Sequence, residues 1–232
     1  MGPPTKLWGG RGLLCAGVNV DNAMFGHTAY GLAAGLVSAS MAEEFLLFLY
    51  AQSHHGCTVG TWTFWEKVLI DRSQSICCFA APAQLTVPSA LRWGLVYEDE
   101  GRGVLALARA VPRAWFAQPN SNLSVVDAPV SRQLLAGGAI SFSLQRKAAT
   151  RTVVASVHIH GADSGAALQQ LSLRLRMPTS WGGIKSVTSG TGEDWTKRLQ
   201  HAKPNAENDV LMLGGVAGLP SAPELRGIVV MF

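Results

Sequence analysis

At 232 residues, with 48% hydrophobic and only 15% charged side chains, the chain has room for one large or two small domains and is too apolar to be disordered. Its net charge of +4 is divided unevenly: residues 1–99 hold five basic and seven acidic side chains, a balance of −2, which leaves +6 on residues 100–232. The later arginines are scattered along strand-like segments without a Lys/Arg run, which excludes nucleic acid as a partner and reads as solvated sheet faces.

Residues 1–27 are Gly-rich and read as irregular. A first helix is expected over about residues 29–37, where Ala and Leu alternate with Gly31 and Gly35. Ser40-Met41-Ala42-Glu43 has the form of a capping box opening a second helix through Tyr50, with a stop near Gly56. The longest apolar stretch, residues 32–50, carries Glu43 and Glu44, so it reads as a buried helix and no membrane span is expected. The six consecutive apolar residues 45–50 leave no polar face, so this helix needs neighbours or self-associates. A third helix is expected around Pro82 and Pro88, with Pro88 opening the run to Tyr97. The turn at residues 98–103 sets a boundary: a helical segment 1–99 and a β domain 100–232.

Beyond that turn the pattern changes to a period of two. Strands are expected at residues 103–109, 124–126, 139–144, 152–160, 171–177, 184–188, 209–213 and 227–232, mostly separated by Gly, Pro, Asn or Ser. In residues 171–177 the Leu and Met side chains fall on one face, with Ser and Arg on the other. Short strands at this spacing predict an antiparallel β-sandwich, so the fold class is α+β in two parts.

Four cysteines, Cys15, Cys57, Cys77 and Cys78, lack the spacing of a disulfide scaffold and read as free thiols. With His54 and His55 they show no metal-ligand spacing, and neither a metal nor another cofactor is expected. His54 and His55 fit a helix C-terminus, while His158 and His160 share one face of a strand.

The candidate site lies in residues 60–71. Trp62, Thr63 and Trp65 surround Glu66, and Asp71 follows as a second carboxylate. Aromatic rings stack on pyranose faces and desolvate a neighbouring carboxyl, while glycoside hydrolysis needs two carboxyl groups flanking the scissile bond. Glu66 and Asp71 are therefore the catalytic pair to consider, and Trp62, Thr63 and Trp65 the substrate platform. The same tryptophans also read as packing anchors beside a solvated acid.

Taken together, Gly60-Thr61-Trp62-Thr63-Phe64-Trp65-Glu66, Pro82-Ala83-Gln84-Leu85-Thr86-Val87-Pro88, Leu91-Arg92-Trp93 and Val96-Tyr97-Glu98-Asp99 resemble the closing helices of a six-hairpin (α/α) toroid. That barrel belongs to glycoside hydrolases of the α-L-rhamnosidase and glucoamylase kind. Leu107-Ala108-Arg109-Ala110-Val111-Pro112-Arg113-Ala114-Trp115-Phe116, Ala128-Pro129 and Ser141-Phe142-Ser143-Leu144 resemble the β-sandwich appended to such barrels. The resemblance covers about residues 28–232. It implies a short helical remnant of a toroid followed by the sandwich, with carbohydrate as partner. The hundred-odd residues before the sandwich are too few for six hairpins, so the implied function is carbohydrate processing without catalysis by this chain alone. Non-catalytic carbohydrate-binding or scaffold modules and a protein-interaction domain are the alternatives.

Overall fold

The computed structural model describes residues 23–58, 61–69, 73, 75–78, 80–160, 168–200, 210–214 and 225–232. The fold class is α+β, and the chain divides into two compact units, Met1–Gly94 and Leu95–Phe232. Among the described residues no helix is long and apolar enough to cross a membrane.

The first unit contains β1 (Ala23–Phe25), α1 (Tyr30–Ser38), α2 (Ala42–Tyr50), a π-helical turn (Ala51–His55), β2 (Trp65–Leu69), β3 (Ser75–Cys78) and most of α3 (Ala81–Leu95). The strands form one antiparallel sheet in the order β1-β2-β3. Gly26 sits where β1, β2 and α3 converge. A Cβ there would fall 2.5 Å from the Ala83 Cβ and 2.7 Å from the Trp65 carbonyl oxygen. Thr86, buried in α3, donates to the Gly26 carbonyl at 2.7 Å, and the Gly26 amide donates to the Glu66 carbonyl.

Two helix ends differ from the sequence expectation. The N-cap position of α2 is Met41 rather than Ser40, whose φ is +59°. Ser40 instead closes α1. The Met41 amide bonds the Leu36 carbonyl and the Ser40 amide bonds the Val37 carbonyl, the paired bonds of a Schellman stop. Pro88 does not open α3 but lies inside it, and Pro82 occupies the first turn, where its missing N–H costs nothing. Residues 96–97, expected as the end of that helix, begin a strand because β5 offers them a ladder.

In the second unit the strands are β4 (Val96–Asp99), β5 (Val104–Leu107), β6 (Asn122–Pro129), β7 (Ala139–Lys147), β8 (Thr152–His160), β9 (Gln170–Arg174), β10 (Ser186–Thr188), β11 (Leu199–Gln200), β12 (Val210–Gly214) and β13 (Ile228–Met231); α4 (Arg132–Leu135) is a single turn. They form two five-stranded sheets, β10-β13-β8-β7-β6 and β11-β12-β9-β5-β4. The first is antiparallel; the second is mixed, because β5 and β9 run parallel. Leu105 and Leu171 from one sheet and Phe142 and Leu144 from the other belong to one buried core, which also holds Trp195.

Two arginines overturn their reading as solvated. Arg146 shares the inward phase of β7 with Phe142 and Leu144 and is 8% exposed. Its Nη1 donates to the carbonyls of Phe116, Ala117 and Gln118 at 2.7–2.9 Å, and its guanidinium lies 4.8 Å from the Trp181 ring centre. Arg176 is also buried and donates to the Arg109 carbonyl at 2.7 Å. Arg109 stacks on Tyr97, and burial holds its guanidinium below the usual arginine range, opposed by the nearby phenol. Charge-assisted bonds to several carbonyls are what make such burial tolerable. Truncating Arg146→Ala strands those acceptors in the interior and is expected to cost about 3 kcal/mol or more. Urea unfolding of the full chain measures this; a loss below about 0.5 kcal/mol, the surface-mutation range, would show that Arg146 is not a structural anchor.

Candidate functional site

The predicted site residues Trp62, Thr63, Trp65 and Glu66 sit on a hairpin that grows out of the π-helical turn. Gly56 ends the turn, its carbonyl accepts from the Trp65 amide at 3.0 Å, and Cys57 bridges Phe64. The Thr58 amide then bonds the Thr63 carbonyl at 2.8 Å. Aromatic and β-branched residues favour this extended arrangement at residues 63–66 over the helix that the resemblance implies there.

At the hairpin end Trp62 is 63% exposed and holds φ +53°. A bulky residue in left-handed backbone costs on the order of 1–2 kcal/mol, so the surroundings must impose it. The hydroxyls of Thr58, Thr61 and Thr63 bond to one another, and Thr58 Oγ1 also donates to the Thr63 carbonyl. Thr58 and Thr61 are thus part of the site, although the sequence reading passed over them. The recurrence of threonine at 58, 61 and 63 was the available signal.

Trp65 and Glu66 are consecutive on β2, so their side chains leave opposite faces of the sheet. Trp65 packs against the small core of Met24, Ala51 and Val68. Glu66 is half-buried, and its backbone carbonyl is taken by Gly26. Asp71 lies outside the described residues. Trp62 and Thr63 are therefore gathered at one place, while Trp65 and Glu66 are divided by the strand.

A second polar group lies on β6, β7 and β8. His160 Nε2 is 3.0 Å from Ser141 Oγ and 3.2 Å from Asp127 Oδ1, and the rings of His158 and His160 are 4.0 Å apart. Asp127 sits in a β-bulge at φ +49°, and its amide donates to Ser141 Oγ. One imidazole nitrogen meets both partners. A nucleophilic triad needs opposite ring nitrogens for serine and carboxylate, so this group clasps the bulge rather than activating Ser141. Among the described residues, no three His, Cys, Asp or Glu side chains are arranged to hold a metal ion.

Comparison with known proteins returned no matching family model, no matching curated protein and no matching solved structure.

The backbone of Trp62 gives a direct test of the hairpin geometry. Asparagine tolerates left-handed φ, so Trp62→Asn is expected to stabilise the chain by about 1 kcal/mol. A thermal shift of the full-length variant reads this, and a loss of stability would mean that the indole is a packing anchor.

Proposed function

We propose that this chain is a non-catalytic carbohydrate-binding region of the kind appended to six-hairpin glycoside hydrolases. In this reading the two five-stranded sheets form a β-sandwich, supported by their shared core, and α1, α2 and α3 are remnants of closing hairpins. The three-stranded sheet of the first unit is a departure from such a barrel.

The single observation that carries the reading is Trp62, exposed at a hairpin end in an unfavourable backbone conformation and flanked in the chain by the mutually bonded Thr61 and Thr63. An indole face and short hydroxyls suit the apolar face and polar edge of a pyranose. Holding the ring in place beforehand lowers the ordering cost of binding. Glu66 is the acid of the site, but inverting and retaining hydrolysis both require an opposing carboxyl group, and the separation of Trp65 from Glu66 across β2 favours binding over turnover.

Affinity electrophoresis of the full chain through gels containing neutral polysaccharides tests this. Retardation by at least one glycan is expected, weakened about tenfold or more by Trp62→Ala, a change of about 1.4 kcal/mol. Glu66→Gln should leave retardation unchanged. Unaltered migration of the parent chain in every gel, or equal retardation of the Trp62 variant, would rule the reading out.

A protein-interaction role is favoured by one further observation. Met41, Leu47 and Tyr50 of α2 and its N-cap are 42%, 41% and 53% exposed, a substantial apolar surface for one helix. If the exposed Leu47 and Tyr50 pair with a second copy, sedimentation will show concentration-dependent association that Leu47→Asp abolishes. A chain that stays monomeric at high concentration removes this role.

A further inference from the structure

The π-helical turn contains a polar group that its protein surroundings do not satisfy. Gln52 is fully buried, and among the described residues neither its Oε1 nor its Nε2 has a hydrogen-bond partner. Its neighbours are provided for. Ser53 Oγ donates to the Leu49 carbonyl at 2.6 Å, Cys57 Sγ donates to the Ser53 carbonyl at 2.7 Å, and His55 Nε2 lies 3.1 Å from the Leu69 carbonyl. A carboxamide left dry in the interior forfeits both a donor pair and an acceptor, and such groups are rarely retained without a partner.

The backbone beside it fits a small guest. A π turn widens the helical ladder, and here the Gly56 amide is shared between the carbonyls of Ala51 at 3.3 Å and Gln52 at 3.2 Å. A Cβ on Gly56 would fall 2.8 Å from the Gln52 carbonyl oxygen, 3.1 Å from the Met24 methyl carbon and 3.4 Å from Gln52 Oε1. Glycine adds no side chain of its own to that corner, where both Gln52 oxygens and the Met24 methyl meet. Water is the guest whose size and bonding match, because it donates to the oxygens and accepts from the carboxamide N–H. Internal waters occur about once per 27 residues and typically make about three such bonds.

We propose that Gln52 anchors an internal hydration site: one or two long-lived water molecules bonded to its carboxamide and to the Gln52 carbonyl beside Gly56. The site has a mechanical consequence, because the carbonyl of Gly56 holds the Trp65 amide and so sets the root of the hairpin that carries Trp62. The inference stands on the burial of Gln52 and is independent of what Trp62 binds.

Water-to-protein cross-relaxation in the full-length chain labelled with nitrogen-15 tests it directly. The side-chain amide protons of Gln52 are expected to show a cross-peak to water with the sign of a tightly held molecule. Absence of that cross-peak in the folded protein overturns the proposal. Thermal melting of Gln52→Leu gives a second reading with opposite signs. If water is bonded there, the substitution strands it and the melting temperature falls. If the carboxamide is dry, removing it relieves an unsatisfied group and the melting temperature rises.

Discussion

The side-chain period of two along a strand is the constraint on which both units depend. On β2 it sends Trp65 and Glu66 to opposite faces, so a cluster that looks continuous in sequence is divided in space. On β7 the same period leaves Arg146 no outward option: Phe142 and Leu144 face the core, and the residue two further on follows them inward. Its charge is tolerated because three carbonyls of residues 116–118 converge on it. On β8 the period sets His158 and His160 side by side, where Asp127 reaches the second of them from the bulge in β6.

Much of the second unit was legible because alternation and turn residues agree there. All eight expected strands are present, with ends shifted by a few residues: Thr152–His160 is as expected, and the strand expected at 171–177 shortens to Gln170–Arg174. The parallel pairing of β5 with β9 was not legible, since an isolated strand carries the same alternation in either direction. β4 was missed for a related reason. Val96 and Tyr97 follow a helical run without a break, and only the ladder with Leu107 and Ala106 makes them strand.

In the first unit, competition between equivalent local signals limited the reading. Ser40 is suited both to begin α2 and to end α1; its backbone closes α1, and the N-cap position of α2 falls one residue later, on Met41. The two prolines of α3 offered the same choice, resolved in favour of Pro82 because only there is the missing N–H an orphan already. At the candidate site the residue types were readable but their directions were not. Exposure of Trp62 depends on a left-handed φ, and nothing in the string Thr61-Trp62-Thr63 announces that backbone.

That left-handed tryptophan and the buried carboxamide of Gln52 lie at opposite ends of one short connection. The π turn holds Gln52, Gly56 passes its carbonyl to Trp65, and the hairpin between them lifts Trp62 into solvent. Trp62 carries the cost of backbone strain, and the Gln52 carboxamide carries the cost of ordering the water proposed to satisfy it. Neither cost is required to close the sheet β1-β2-β3, whose ladder runs through residues 23–25, 65–69 and 75–78. Alanine at 52 and a turn-forming residue at 62 would serve that ladder equally well. Backbone strain beneath one exposed indole fits the proposed contact better than a packing role, which would not require it. The proposed sugar contact and the proposed internal water therefore draw on the same stretch of chain for different reasons: the water steadies the root, and the strain sets the tip.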